Sequence, residues 1–103
     1  MIKIKLYDKN KKKVVTHTAH WVSTRKLLEG LDVDGADYDT ASERINAEIA
    51  FVASVFDDVT ADDILDGVNA DKLQKFLQDF YSQLFGGEDE GAKKAQNRSR
   101  TKN

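Results

Sequence analysis

The sequence predicts an α+β fold: an N-terminal antiparallel β-hairpin packed on a small bundle of about four helices. Three observations predict it. Apolar and polar residues alternate in IKIKLY, residues 2–7, which is the period of a strand with one buried face. Toward the other end the spacing changes. Leu73, Phe76, Leu77, Phe80, Leu84 and Phe85 recur at three- and four-residue steps, the stripe of an amphipathic helix. Between these segments a valine precedes a small polar residue three times, at Val22–Ser23, Val59–Thr60 and Val68–Asn69. Leu27, Ile64 and Leu73 come next at the position of a hydrophobic staple, so each triplet marks a helix start.

The elements are justified in chain order. After the first strand, DKNKKK is a polar run with Asp8 and Asn10 as turn formers. VVTHTAHW, residues 14–21, is rich in β-branched and aromatic residues, so the hairpin spans about 2–21. An isolated hairpin is marginal in water and must lean on the helices C-terminal to it. Ser23 caps a short helix over about 24–29, closed by Gly30. LDVDGADYD is read as an acidic loop. Thr40 opens TASE, a capping box with Glu43, and the helix behind it spans about 41–57. Its stripe is Ile45, Ile49, Val52 and Phe56, widened by Ala41, Phe51 and Ala53. Thr60 starts a helix over 61–66, with Asp63 placed to complete a capping-box variant and Gly67 at its end. Asn69 starts the last helix, 70–85, stopped by Gly86-Gly87. A single domain over 1–87 results. From Glu88 to Asn103 no large apolar residue occurs. Such a segment cannot repay the entropy of ordering, and a disordered charged tail is expected over 88–103.

Bulk properties narrow the function classes. One domain is the default for 103 residues, and 40% hydrophobic with 33% charged residues is the soluble globular class. There is no cysteine, which excludes a disulfide framework and a cysteine-ligated metal centre. No apolar run approaches the ~18 residues of a membrane span, and the charged start MIKIKLYDKN is unlike a secretory signal. A cytoplasmic protein without membrane contact is expected. The net charge of −2 hides three blocks. Residues 1–28 carry eight Lys/Arg against one Asp. Residues 29–90 carry three against seventeen Asp/Glu, and residues 91–103 carry five Lys/Arg and no acid. Such blocks create local fields even near overall neutrality.

Candidate chemistry is sparse. His17 and His20 are three apart, which on a strand points them to opposite faces; they read as ordinary strand histidines. Asp32, Asp34 and Glu43 match positions one, three and twelve of an EF-hand loop, but position six is Asp37 and position five is Ala36. The segment reads as a solvated acidic loop. Asp57-Asp58 and Asp62-Asp63 flank a helix start, where capping and the helix dipole favour acids, and no nucleophile accompanies them. Neither catalysis, nor a cofactor, nor a metal is expected. Lys3, Lys5, Lys9, Lys11, Lys12 and Lys13 form a basic hairpin suited to phosphates, yet lysine also guards sheet edges.

WVSTRKLLEGLD and FVASVFDDVTADDILDGVNADKLQKFLQDFYSQL, downstream of a lysine-alternating strand, resemble the tail assembly chaperones of long-tailed phages and prophages of Gram-positive bacteria. The likeness covers about residues 1–86, and the rhythm from Phe51 to Asp63 with Asp66-Gly67 behind it is its most specific part. The resemblance implies a protein needed to build the tail and absent from the finished virion. It implies a non-enzymatic partner of the tape measure protein, keeping that long helical chain soluble while tail-tube subunits polymerise around it in the host cytoplasm. It also implies a longer frameshifted form; Lys93-Lys94 is compatible with an A-rich slippery run. The tail tube protein and further copies of this chain are additional candidate partners.

An amphipathic client calls for apolar grooves. The residues chosen for the contact are Phe51, Val55, Phe76, Phe80, Tyr81, Leu84 and Phe85, with Tyr81 off the centre of its stripe and therefore expected to point outward. The alternative function is a small nucleic-acid-associated phage regulator acting through the basic hairpin, which the acidic body makes less favourable.

Overall fold

A computed structural model describes residues 1–86. It contains a two-stranded antiparallel sheet, four α-helices and one 3-10 turn, an α+β architecture. The hairpin consists of β1 (Ile2–Asp8) and β2 (Lys13–Ala19), with Ile4 opposite His17 and Leu6 opposite Val15. Ile2, Ile4 and Leu6 are buried while Lys3, Lys5 and Tyr7 are exposed, the alternation the period-two pattern requires. Asp8 builds the turn. Its Oδ1 accepts from the amides of Asn10 (2.8 Å) and Lys11 (3.1 Å), and its carbonyl accepts from that of Lys12 at 2.7 Å. Lys12 takes the left-handed conformation, φ 56°.

The first helix, α1 (Thr24–Gly35), starts at Ser23 as expected, with Ser23 Oγ accepting from the Lys26 amide. It does not stop at Gly30. A Cβ at Gly30 would lie 2.9 Å from both Leu84 Cδ2 and Phe51 Cζ. The glycine therefore serves a close helix crossing, and the helix continues through it at the modest propensity cost of glycine. The expected loop 31–39 is accordingly half helical, with Asp32 and Asp34 on α1. An EF-hand loop spanning them is not formed.

The second helix, α2 (Ala41–Val55), is capped by Thr40, whose hydroxyl accepts from the Glu43 amide. The Glu43 carboxylate reaches back to the Asp39 amide, one residue beyond the cap itself. This helix ends two residues before the expected position. Phe56 turns extended and buries its ring, and Asp57-Asp58 would sit unfavourably at the negative end of a continuing helix.

Thr60 and Asp63 form the reciprocal capping box of α3 (Ala61–Gly67), with bonds of 2.9 and 3.1 Å. A Cβ at Gly67 would meet the Tyr7 carbonyl at 3.0 Å and Leu6 Cβ at 3.2 Å, so α3 lies directly on β1. The last helix opens with a 3-10 turn, Ala70–Lys72, capped by Asn69, and becomes α4 (Leu73–Leu84). Such turns are frequent at helix starts. Gly86, at φ 79°, terminates it. Gly87 and the expected disordered tail, 88–103, lie outside the described residues.

The core gathers the sheet's inner face, α2, α3 and α4. Ile64, Val52 and Phe80 are its most deeply buried side chains. Phe80 packs edge-on to Phe51, with ring centroids 6.0 Å apart, and tilted against Phe56. Gln83 joins α4 to β1: its Oε1 accepts from the Lys3 amide at 2.8 Å, and its Nε2 donates to the Lys3 carbonyl at 2.9 Å. The side-chain amide thereby takes the place of a neighbouring strand on the open edge of β1.

Candidate functional site

Two features of α4 and its neighbours stand out. Gln74, Leu77, Gln78, Tyr81, Ser82 and Phe85 recur along one face of the helix, and α2 supplies Arg44, Ile45 and Glu48 opposite them. With Asp34 of α1 they line a cavity of about 360 Å³. Its apolar floor follows from the helical stripe. Its polar groups do not.

Glu48 is 5% exposed, the buried charged residue of the structure's described part. It falls on the inward side of α2 because Ile45, Ile49 and Val52 fix that face. Among the described residues it makes no hydrogen bond and no ion pair. Burial raises its carboxyl above the usual carboxylate range; nearby Arg44 opposes that shift and Asp34 adds to it. Tyr81 stacks on Phe51 (6.4 Å) and on Phe85 (5.7 Å). Its hydroxyl is buried and, among the described residues, unpartnered. Burial raises the Tyr81 phenol, and the charges of Glu48 and Asp34 and the Tyr38 phenol raise it further. The pocket thus combines an apolar floor, a buried hydroxyl without a partner among the described residues, and a carboxylate beside the Arg44 charge.

The seven residues chosen from sequence do not form one surface: Tyr81 and Phe85 line this cavity, Phe76 lies beside the hairpin with Lys5, Tyr7 and Val14, and Leu84 lies at a cavity with Trp21. Phe51 and Phe80 are buried in the core, and Phe80 has no exposed surface. Val55, Phe76 and Leu84 are half-buried and pack against that core. Tyr81 does not point outward; it lies between Phe51 and Phe85. Of the seven, Phe85 is the most exposed, at 37%.

Other exposed apolar side chains were not among them. Trp21, just past β2, is 85% exposed, and Leu28 and Leu31, one turn apart on α1, are 55% and 50% exposed. Trp21 borders a separate cavity of about 320 Å³ with Met1, Val22, Leu27 and Leu84. Tryptophan is enriched among the residues that dominate binding energy at interfaces. In sequence the signal was available: Leu27, Gly30 and Val33 define the inward face of α1, which leaves Leu28 and Leu31 off it.

The remaining candidates are placed apart. His17 faces inward from β2 and contacts Asp58 Oδ2 through Nδ1 at 3.0 Å. His20 lies beyond the strand, at the Trp21 cavity. Lys3 and Lys5 occupy the outer face of the hairpin with Tyr7. Among the described residues no group of three or more metal-ligating side chains converges, and no helix is long and apolar enough to cross a membrane.

No curated protein and no solved structure matches the chain. A family model described as phage tail chaperone protein matches residues 1–101, nearly the whole length. A small core-complete domain that leaves large apolar side chains uncovered is consistent with such a role, and the chain belongs to the phage tail chaperone family.

Proposed function

We propose that the protein is a non-enzymatic tail assembly chaperone that binds the tape measure protein and keeps it soluble until the tail tube forms around it. The observation that carries this reading is the set of uncovered apolar side chains, Trp21, Leu28, Leu31 and Phe85. A long helical client with exposed apolar stripes needs such surfaces, and family membership supplies the tail-assembly setting. Phe85, with Tyr81 stacked on it and Leu84 next to it in the chain, contacts the client, with Phe51 and Phe80 behind; Val55 and Phe76 are further contacts away from Phe85. Trp21, Leu28 and Leu31 extend the contact. The protein acts in the cytoplasm of a Gram-positive host and leaves before the virion is complete. The tail tube protein, a longer frameshifted form and further copies of this chain are its other partners.

Co-expression with the tape measure protein of the same phage tests the reading. The expected result is soluble client that stays bound through a high-salt wash, which an apolar interface withstands and phosphate contacts do not. Leu28→Asp with Trp21→Ala should abolish co-purification while circular dichroism shows an intact fold. Client that is equally insoluble with and without this chain overturns the proposal.

A further inference from the structure

The two edges of the hairpin differ. The Lys3 amide and carbonyl both bond to Gln83, so they point away from β2. Backbone direction alternates along an antiparallel strand, and residues opposite an outward pair member point outward too. The outward residues of β1 are therefore Lys3, Lys5 and Tyr7, and the register makes those of β2 Thr18, Thr16 and Val14. The β1 edge is covered. Gln83 holds Lys3, Gly67 lies against the Tyr7 carbonyl, and α3 and α4 pack on this strand. The β2 edge is open. Its extensive contacts are with β1, and among the described residues the outward amides and carbonyls of Val14, Thr16 and Thr18 have no partner. Open edges are ordinarily guarded by charge, lysine above all. Here the covered strand carries Lys3 and Lys5, whereas beyond Lys13 the open strand has no charged residue as far as Ala19. Val14 and Thr16 are exposed on it.

We propose that the β2 edge is where two copies of this chain meet, pairing antiparallel so that the two hairpins form one continuous sheet. The strand itself selects this occupant. With the two-fold axis at Thr16, Thr16 faces Thr16 of the second copy and Val14 faces Thr18 of the second copy. All of these are outward residues, so each pair exchanges both of its backbone hydrogen bonds. Threonine pairs and β-branched pairs are favourable across strands. Charge agrees with the register. Lys13 falls opposite Ala19 of the second copy, and the two Lys13 side chains are separated by about 20 Å along the sheet. The basic turns lie at opposite ends, whereas a parallel pairing would set them side by side. The joined sheet also relieves a weakness, because a two-stranded ribbon is marginal alone and three or more strands are not. The contact gives a surface to the self-association included in the proposed function and rests on that reading for its setting. The pairing itself needs no client.

The full chain, without client, carries the test. As it is concentrated from the micromolar to the millimolar range, sedimentation should show dimer. Over the same range amide hydrogen exchange at Val14, Thr16 and Thr18 should slow severalfold, while Val15 and His17, which face β1, stay protected throughout. Thr16→Glu faces Lys5 within its own hairpin and a second glutamate across the two-fold axis. It should keep the fold by circular dichroism and weaken association about tenfold or more, because like charges then meet at the contact. Thr16→Lys should also weaken association, and mixing the two variants should restore dimer. A chain that stays monomeric, protection that does not change with concentration, or a dimer that both variants leave intact overturns the proposal. So does protection of these amides that requires the tape measure protein, because the occupant is then the client. Client rescue by co-expression is read separately, so loss of one result leaves the other standing.

Discussion

The two long sides of α4 are built to different standards. On one, Phe80 closes the core and Gln83 bonds both polar groups of the Lys3 backbone. Each of those polar groups has its partner. On the other, the Tyr81 hydroxyl is buried with no partner among the described residues, beside a Glu48 carboxylate that feels the Arg44 charge. A buried polar group without a partner costs on the order of 1–3 kcal/mol. The first side holds the fold together. The second tolerates a cost that the fold does not need, and such local costs tend to mark functional surfaces.

The sharpest way to break the comparison is on the satisfied side. Phe80→Ala removes a ring with no exposed surface and should destabilise by about 3–5 kcal/mol in urea unfolding. Next comes the crossing of α1. Gly30→Ala places a methyl within 2.9 Å of Leu84 and Phe51. Those neighbours are side-chain ends that move at moderate cost, so a loss of about 1–3 kcal/mol is expected in the same assay. Gln83→Ala strips the clip from β1 and should cost about 1–2 kcal/mol, with faster amide hydrogen exchange at Lys3 as its signature.

The smallest effect has the opposite sign and sharpens the contrast. Glu48→Gln should be more stable than the native chain near neutral pH, by up to about 1 kcal/mol. The carboxyl is raised in the fold, so the folded chain binds its proton first and the native chain gains stability as pH falls through that raised value. The advantage of Glu48→Gln should therefore shrink on acidification. Urea midpoints of both chains between neutral and acidic pH check it; an advantage that grows on acidification contradicts the raised carboxyl.

The features legible in the sequence were those that neighbours along the chain decide. The strand alternation at Ile2, Ile4 and Leu6, the caps Ser23, Thr40, Thr60 and Asn69, and the stop at Gly86 are local devices, and each appears in place. Gly30 misled because its reason lies in Phe51 and Leu84, distant in sequence. That error cut α1 short and hid Leu28 and Leu31 as outward residues. Phe80 and Tyr81 share the apolar signature of a binding surface, but pattern alone cannot say which apolar residue is covered. Glu48 went unnoticed for the converse reason: its position lies on the inward side of α2, and its residue type argues for water.

The Gln83–Lys3 clip has a consequence for biosynthesis. The strand made first is sealed by a side chain near the end of the last helix, so the domain cannot close while it is still being translated through α3. Closure waits until Gln83 has left the ribosome. Once Leu84 and Phe85 have followed, every contact described for residues 1–86 has both its partners, and a polypeptide that continues differently after Gly86 inherits that same body.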